Sequence, residues 1–314
     1  MAGTSSLHID VYARITDQVI QAIEHGVATN GEMPWRTSNC FQHPINVATG
    51  QRYQGINILS LWAVAEYHSY PEAIWGTYLQ WQQAGRQVAA GQRSTLGVFW
   101  KKIDEASSDD DHEDGDDSRN GQKTRRIAKA FGLFNVAQLV GYEPPPEPPL
   151  PPEHQRVENA EVFFAALGAD IRHGGNRAFY RSTSDHIQMP PFASFIDPLN
   201  YYSVLSHEAT HWSGAPSRLA RDLKGRFGTE SYAFEELVAE LGAAFIAADL
   251  GLSPNARPEN ASYIDNWLKV LKSDKHAIFT ASRLAQEAVD YLHGKQPAPV
   301  PILHRAAAVP SLSM

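Results

Sequence analysis

The chain has 314 residues, 43% of them hydrophobic and 20% charged, with one cysteine and a formal net charge of −8. That length carries apolar material for two domains. No apolar run approaches the ~18 residues of a membrane-spanning helix, and the lone Cys40 excludes an internal disulfide framework and fits a reducing, cytoplasmic setting. The acidity is local. Nine acids and no base lie between Asp104 and Asp117, whereas residues 119–142 hold five bases (Arg119, Lys123, Arg125, Arg126, Lys129) and no acid. The first residues lack a basic segment leading into an apolar one, so no secretory signal is expected.

In chain order, the first predicted element is an amphipathic helix from Ile9 to Gly26, with Tyr12, Ile15, Val19, Ile20 and Ile23 on one side. A loop runs through Pro34-Trp35-Arg36 and Pro44-Ile45-Asn46, and a turn from Thr49 to Gly55 leads into a helix near Asn57 to Ser69. A second helix covers Tyr78 to Ala84. Strand-like runs follow at Val88 to Gly91 and Leu96 to Lys102, and a strand resumes from Arg126 to Asn135. Between them the run 104–118 has no apolar residue to bury and reads as a disordered insertion in a hairpin.

Five of the seven tryptophans fall in this half: Trp35, Trp62, Trp75, Trp81 and Trp100. Arg36, Arg52, Arg86, Arg93, Lys101 and Lys102 are interleaved with them. Aromatic platforms beside a basic track are what sequence-tolerant binding of single-stranded nucleic acid requires. Trp62 and Trp81 sit in helices and are expected in the core. Trp35 and Tyr53, in polar loops beside arginines, are the expected stacking residues. The candidate DNA contacts are Trp35, Arg36, Arg52, Tyr53, Asn57, Lys101, Lys102, Lys123, Arg125 and Arg126.

Residues 143–153 form a polyproline run that reads as a stiff linker. It separates a DNA-binding domain (1–142) from a second domain (154–294), and a Pro/Ala-rich tail (295–314) follows. The second domain opens with a helix from Val157 to Leu167. Strand-like segments follow at Arg177–Arg181 and Asp185–Met189.

Next comes His207-Glu208-Ala209-Thr210-His211. Two histidines four apart share one helix face and can reach one metal ion. Glu208, beside that face, is placed to take a proton from a water at the ion. Asp197-Pro198 supplies an N-cap and first-turn proline, Val204 and Leu205 bury the helix, and Gly214 ends it. A mononuclear site needs a third protein ligand. Phe234, Leu237, Val238, Leu241 and Phe245 mark the buried stripe of a downstream helix, with Glu235, Glu236 and Glu240 beside it. Small residues (Ala233, Ala243, Ala244, Ala247) let that helix approach the histidines closely. Residues Tyr263 to Leu292 predict one or two more helices, with Trp267, Leu268 and Leu271 inward.

The carboxylate spacing resembles that of the glutamate zincins. The resemblance implies that Glu236 is the third ligand and Glu240 the acid that orients a ligand histidine, with Glu235 as the competitor for the ligand position. In zincins an edge strand beside the metal pairs with an extended peptide, and Asp185, Ile187 and Met189 mark the strand expected to do so. His186 reads as a solvent-facing or structural residue.

A wider set of residues is similar to the ArdC-type antirestriction proteins, whose N-terminal half is shared with TraC-type plasmid primases. It includes Pro34-Trp35-Arg36, Gly55-Ile56-Asn57, Leu61-Trp62, Phe99-Trp100-Lys101 and Phe134-Asn135-Val136. In the second half it includes Met189-Pro190, Tyr201-Tyr202, His207-Glu208, His211-Trp212, Ser217-Arg218-Leu219 and the run Glu235 to Leu241. The resemblance implies an α+β chain of two domains, one binding single-stranded DNA and one zincin-like. It further implies protection of incoming plasmid DNA during conjugation. Zinc is the expected ion, with manganese as the alternative. Two other function classes stand beside this one: a DNA-associated metalloprotease that cleaves a host protein such as a restriction enzyme, and a metal-stabilised scaffold that sequesters a nuclease without catalysis.

Overall fold

The computed structural model describes residues 10–29, 33, 35, 42–103, 125–144, 152–223, 229–252 and 261–297. The acidic run 104–118, Arg36, Lys123, residues 145–151 of the polyproline segment and the tail from 298 lie outside them. The chain is mixed helix and sheet, as the α+β expectation has it.

In the N-terminal half, helix α1 (Val11–Thr29) and helix α2 (Ile56–Tyr67) pack beside a four-stranded sheet. Its strands are β1 (Ile45–Asn46), β2 (Ile74–Gly76), β3 (Thr95–Ile103) and β4 (Arg125–Asn135), in the order β1-β2-β4-β3. The long β3–β4 pair is the antiparallel hairpin read from the sequence, with Phe99 opposite Lys129 and Lys101 opposite Ile127. Polar side chains weld α2 to β3. Asn57 donates its amide to Val98 O (2.8 Å) and accepts from Val98 N (2.7 Å), and Ser60 Oγ donates to Leu96 O (2.9 Å). Helix α3 (Tyr78–Gln83) starts on a capping box, in which Thr77 and Gln80 satisfy each other's backbone N–H.

The C-terminal half begins with α4 (Glu153–Ala166), then strands β5 (Asp170–His173), β6 (Phe179–Arg181) and β7 (His186–Met189). Helices α5 (Pro198–Ser213), α6 (Glu230–Leu250), α7 (Ala261–Ser273) and α8 (Ala277–His293) complete it. The sheet order is β5-β7-β6, so β7 is the central strand, parallel to β5 and antiparallel to β6. This corrects the expected edge strand. Ile187 and Met189 are fully buried in the main core, and β5, a short and largely polar strand, pairs along the side of β7 that looked open in the sequence. Asp185 precedes β7 in a left-handed turn (φ 47°) and receives the Arg218 guanidinium and the Tyr180 hydroxyl. His186 is buried against Ser184.

The two halves share one core. Ile15, Val19 and Ile23 of α1 and Trp62 of α2 belong to the same buried cluster as Phe245 of α6, Trp267 of α7 and Ile278 of α8. Fully burying a side chain of this size contributes ~2–3 kcal/mol, so the halves are joined by packing and not only by the linker. A buried ionic cluster reinforces the joint. Asp249, 3% exposed on α6, accepts from Arg52 and from His293 (2.8 Å), and lies 3.1 Å from His43. Among the described residues, no helix is long and apolar enough to cross a membrane.

Candidate metal centre and nucleic-acid face

The sequence sets both helices of the centre. Asp197 accepts from Asn200 N (2.7 Å) and Pro198 opens the first turn, so α5 begins where its N-cap predicts. The helix is buried nearly all round, and its hydroxyls are satisfied inside it: Ser206 donates to Tyr202 O (2.8 Å) and Thr210 to Ser206 O (2.9 Å). Thr229 caps α6, and left-handed Gly251 closes it. The helices meet where Gly242 faces Thr210; a Cβ at position 242 would lie 2.6 Å from Thr210 Cγ2. The small alanines pointed to a close approach, but the residue at the contact is this glycine.

Three side chains converge. His207 Nε2 and His211 Nε2 are 3.2 Å apart, and the Glu236 carboxylate lies 3.6 Å from the first and 3.3 Å from the second. Among the described residues these three are the group whose donor atoms lie close enough to share one ion. Tetrahedral ligands at about 2.0–2.1 Å from an ion sit about 3.3 Å from one another, so the triangle has the right edges. The remaining ring nitrogens face outward to acids. His207 Nδ1, buried with no hydrogen-bond partner, is 3.6 Å from Glu240 Oε2. His211 Nδ1 donates to Glu235 Oε1 (3.1 Å). Glu235 therefore stands behind the triangle and Glu236 within it. Glu208 is buried at 3% exposure on the same helix as both histidines.

The charges of the centre suit a cation. Burial works against a proton on His211, but Glu235 and Glu236 outweigh it and push the imidazole up to about 10. Burial likewise opposes ionisation of Glu236, yet hydrogen bonds and charge from His207 and His211 hold it well below the usual carboxylate range. The acids that favour a proton here would equally favour a divalent ion, which would have to displace the ring proton to bind Nε2.

The candidate DNA residues scatter. Trp35 is 2% exposed and packs on Trp267 of α7 (6.5 Å), so it is a core residue and not a stacking platform. Arg52 is committed to Asp249, and Asn57 to the β3 backbone. Tyr53 is half-buried and accepts from Asn46 (2.9 Å); burial pushes its hydroxyl pKa up. Lys101 is exposed on β3. Lys102, Arg125 and Arg126 extend the same pair of strands. The sequence reading missed Phe99 and Trp100, which are 49% and 44% exposed, and Lys129, exposed opposite Phe99. Their signal was available: two aromatics followed by two lysines in a strand cannot all face a core.

Comparison with known proteins places these features. Residues 9–134 match the N-terminal domain of anti-restriction factor ArdC, and residues 158–284 match a zincin-like metallopeptidase domain. An uncharacterised protein of Sinorhizobium fredii, y4eC, is 50% identical, covering 91% of this chain and 92% of its own length. The DNA primase TraC of Escherichia coli is 35% identical over 90% of this chain, which spans 27% of that protein. The Mn(II)-bound crystal structure of the antirestriction protein ArdC from plasmid R388 is 35% identical and superposes with a TM-score of 0.73, covering 92% of this chain and 98% of that one. Its metal-free form superposes with a TM-score of 0.72 at 36% identity, covering 91% and 98%. The chain belongs to the ArdC antirestriction family.

Proposed function

We propose that this protein binds single-stranded DNA on the β3–β4 face and so protects incoming plasmid DNA from restriction during conjugation, in the cytoplasm of the recipient. The observation that carries this reading is the exposed surface of the hairpin. Phe99 lies opposite Lys129, with Lys101 two residues along the same face and Trp100 exposed beside Tyr12 on the other (6.2 Å). Flat rings supply a face for any base, and the lysines follow the phosphates. The primase relatives support DNA as the ligand. The test is anisotropy of a labelled oligonucleotide with the full chain, as single strand and as duplex, over a range of salt. The reading requires tighter binding of the single strand and an affinity that falls with salt. Equal affinity for duplex would overturn the strand preference.

In the second half, His207, His211 and Glu236 would hold one divalent cation, zinc or manganese, with Glu240 behind His207. Glu208 favours a peptidase over an inert scaffold, because a structural site has no need of a buried carboxylate beside its ligands. A bound cation would supply Lewis acidity toward a peptide carbonyl. Glu208 would take the proton of the attacking water and pass it to the amide nitrogen as the C–N bond breaks. A protein bound on the same DNA, such as a restriction enzyme, would be the substrate, because the joint between the halves would hold it near the cluster. If an extended peptide docks by strand addition, β5 and β6 are the edge strands in place of β7, and β6 is the one that packs against α5. Incubating cation-loaded protein with such substrates, with and without single-stranded DNA, tests this. New fragments that vanish in Glu208→Ala support cleavage, and their absence favours the scaffold.

A further inference from the structure

Arg221 follows the metal helix in a turn that folds back beneath it. Ala220 is left-handed (φ 52°), and Arg221 N donates to Gly214 O (3.0 Å), which aims the side chain under the last turn of α5. There the guanidinium, 4% exposed, makes four hydrogen bonds. Nη2 donates to Thr210 O (2.6 Å) and Glu235 Oε1 (2.9 Å), Nε to Glu235 Oε2 (3.2 Å), and Nη1 to Ser213 Oγ (3.0 Å). Gly214 makes room, since a Cβ there would stand 2.8 Å from Nη2 and 2.9 Å from Cζ. Both oxygens of Glu235 are thus gripped, and Oε1 also accepts from His211 Nδ1 (3.1 Å).

We infer that Arg221 and Glu235 are a positioning pair that holds His211 with Nε2 facing His207 and Glu236. The inference rests on reading that triangle as a cation site. A lone carboxylate at the end of a flexible side chain would let the imidazole rotate. Tied at both oxygens to a guanidinium that is itself anchored on the carbonyl and hydroxyl of α5, it cannot swing away. The tie is closed: α5 carries His211, α6 carries Glu235, and Arg221 binds both. The same contact keeps the Nδ1 proton in place, leaving Nε2 as the donor to a cation. Arg221 and Glu235 touch no reacting atom in this scheme.

The experiment is calorimetric titration of ZnCl2 and of MnCl2 into chelator-stripped full-length protein, paired with thermal unfolding of the stripped samples. Wild type, Arg221→Ala, Arg221→Lys, Glu235→Ala, Glu235→Gln and the Arg221→Ala/Glu235→Ala double variant are compared. A positioning role predicts cation affinity weaker by roughly 10- to 100-fold in Glu235→Ala. Arg221→Ala should weaken it roughly 10-fold, and Arg221→Lys should not restore it, because a lysine lacks the planar fork. The double variant should be no weaker than Glu235→Ala, because the arginine acts through the glutamate. Glu235→Gln keeps the acceptor for His211 and should lose less than Glu235→Ala. If Arg221 is only a cap for α5, its loss lowers the unfolding temperature and leaves affinity unchanged, which overturns the pair. If Arg221→Ala fails to fold, Glu235→Ala and Glu235→Gln decide, and wild-type affinity in both overturns it. Wild-type protein that takes up neither ion would overturn the metal reading itself, and the pair with it.

Discussion

Arg52, on the turn after β1, donates to Asp249 in the last turns of α6, the helix that carries Glu236 near its start. His43 and His293 close on the same carboxylate, and Phe245, one turn earlier, lies against Trp62 of α2 (5.8 Å). One helix therefore spans the candidate metal centre and the joint with the N-terminal half. A polyproline segment suggests two modules at the ends of a rod. The packing instead places them in contact, so on the proposed reading a strand held by the first half would lie at a set distance from the His207, His211 and Glu236 cluster of the second.

Removing Asp249 should loosen that joint. Asp249→Ala leaves Arg52 buried in part without its partner, and breaking a buried ion pair from one side costs on the order of 3 kcal/mol. Denaturant unfolding measures it. The pH dependence has a definite sign. Burial opposes ionisation of Asp249, but His43, His293 and Arg52 outweigh it and hold the carboxyl well below its usual range. Its contribution is then fully present above the unfolded value of about 3.9 and is lost as pH falls through the lower folded value. Wild type should lose stability below about pH 4 faster than Asp249→Asn. Parallel curves would contradict the assignment.

Glu236 and Glu240 should separate in metal binding. Glu236→Ala removes a ligand and should leave no ion after mild chelation. Glu240→Ala removes only the acid facing His207 and should weaken retention roughly 10- to 100-fold. Metal content after dialysis checks both. Full occupancy in Glu236→Ala would show that the triangle is misassigned.

The hairpin should carry the DNA affinity. Phe99→Ala should weaken single-strand binding by roughly 5- to 100-fold, the range of one lost stacking contact. Lys101→Ala with Lys129→Ala should lower affinity and also flatten its salt dependence, since fewer phosphates are neutralised. Trp35→Ala should lower stability instead, as a buried ring against Trp267 is lost. Oligonucleotide anisotropy beside thermal unfolding distinguishes the two outcomes.

The clustering of His207, His211 and Glu236 was readable in the sequence because helical spacing fixes faces. His207 and His211 must share one, the Asp197 cap and Gly214 bound the helix, and Glu236 and Glu240 follow at one-turn spacing. Glu235 was ambiguous because a neighbouring position on a helix points to a different side, and which side meets His211 depends on how α6 docks. Arg221 gave no signal: it sits in a loop, and its partners are assembled only in three dimensions. Tertiary contacts also explain where the expectations for Trp35 and β7 failed. Trp35 lies in a polar loop but is covered by α7, from far along the chain. Met189 and Ile187 looked like one side of an edge strand until β5, with a single aliphatic residue, paired with them. Phe99 and Trp100 were in view as a motif, yet their exposure follows from their place on β3 beyond Val98, where the strand leaves the core.

The most direct measurement is a conjugation assay into a restricting recipient, with Glu208→Ala, a Phe99→Ala/Lys101→Ala/Lys129→Ala variant and wild type supplied at equal levels. If protection comes from coating the incoming strand, Glu208→Ala protects as wild type does, and the hairpin variant does not protect. A Glu208→Ala protein that binds DNA and metal normally yet fails to protect would contradict the account and make proteolysis the source of protection.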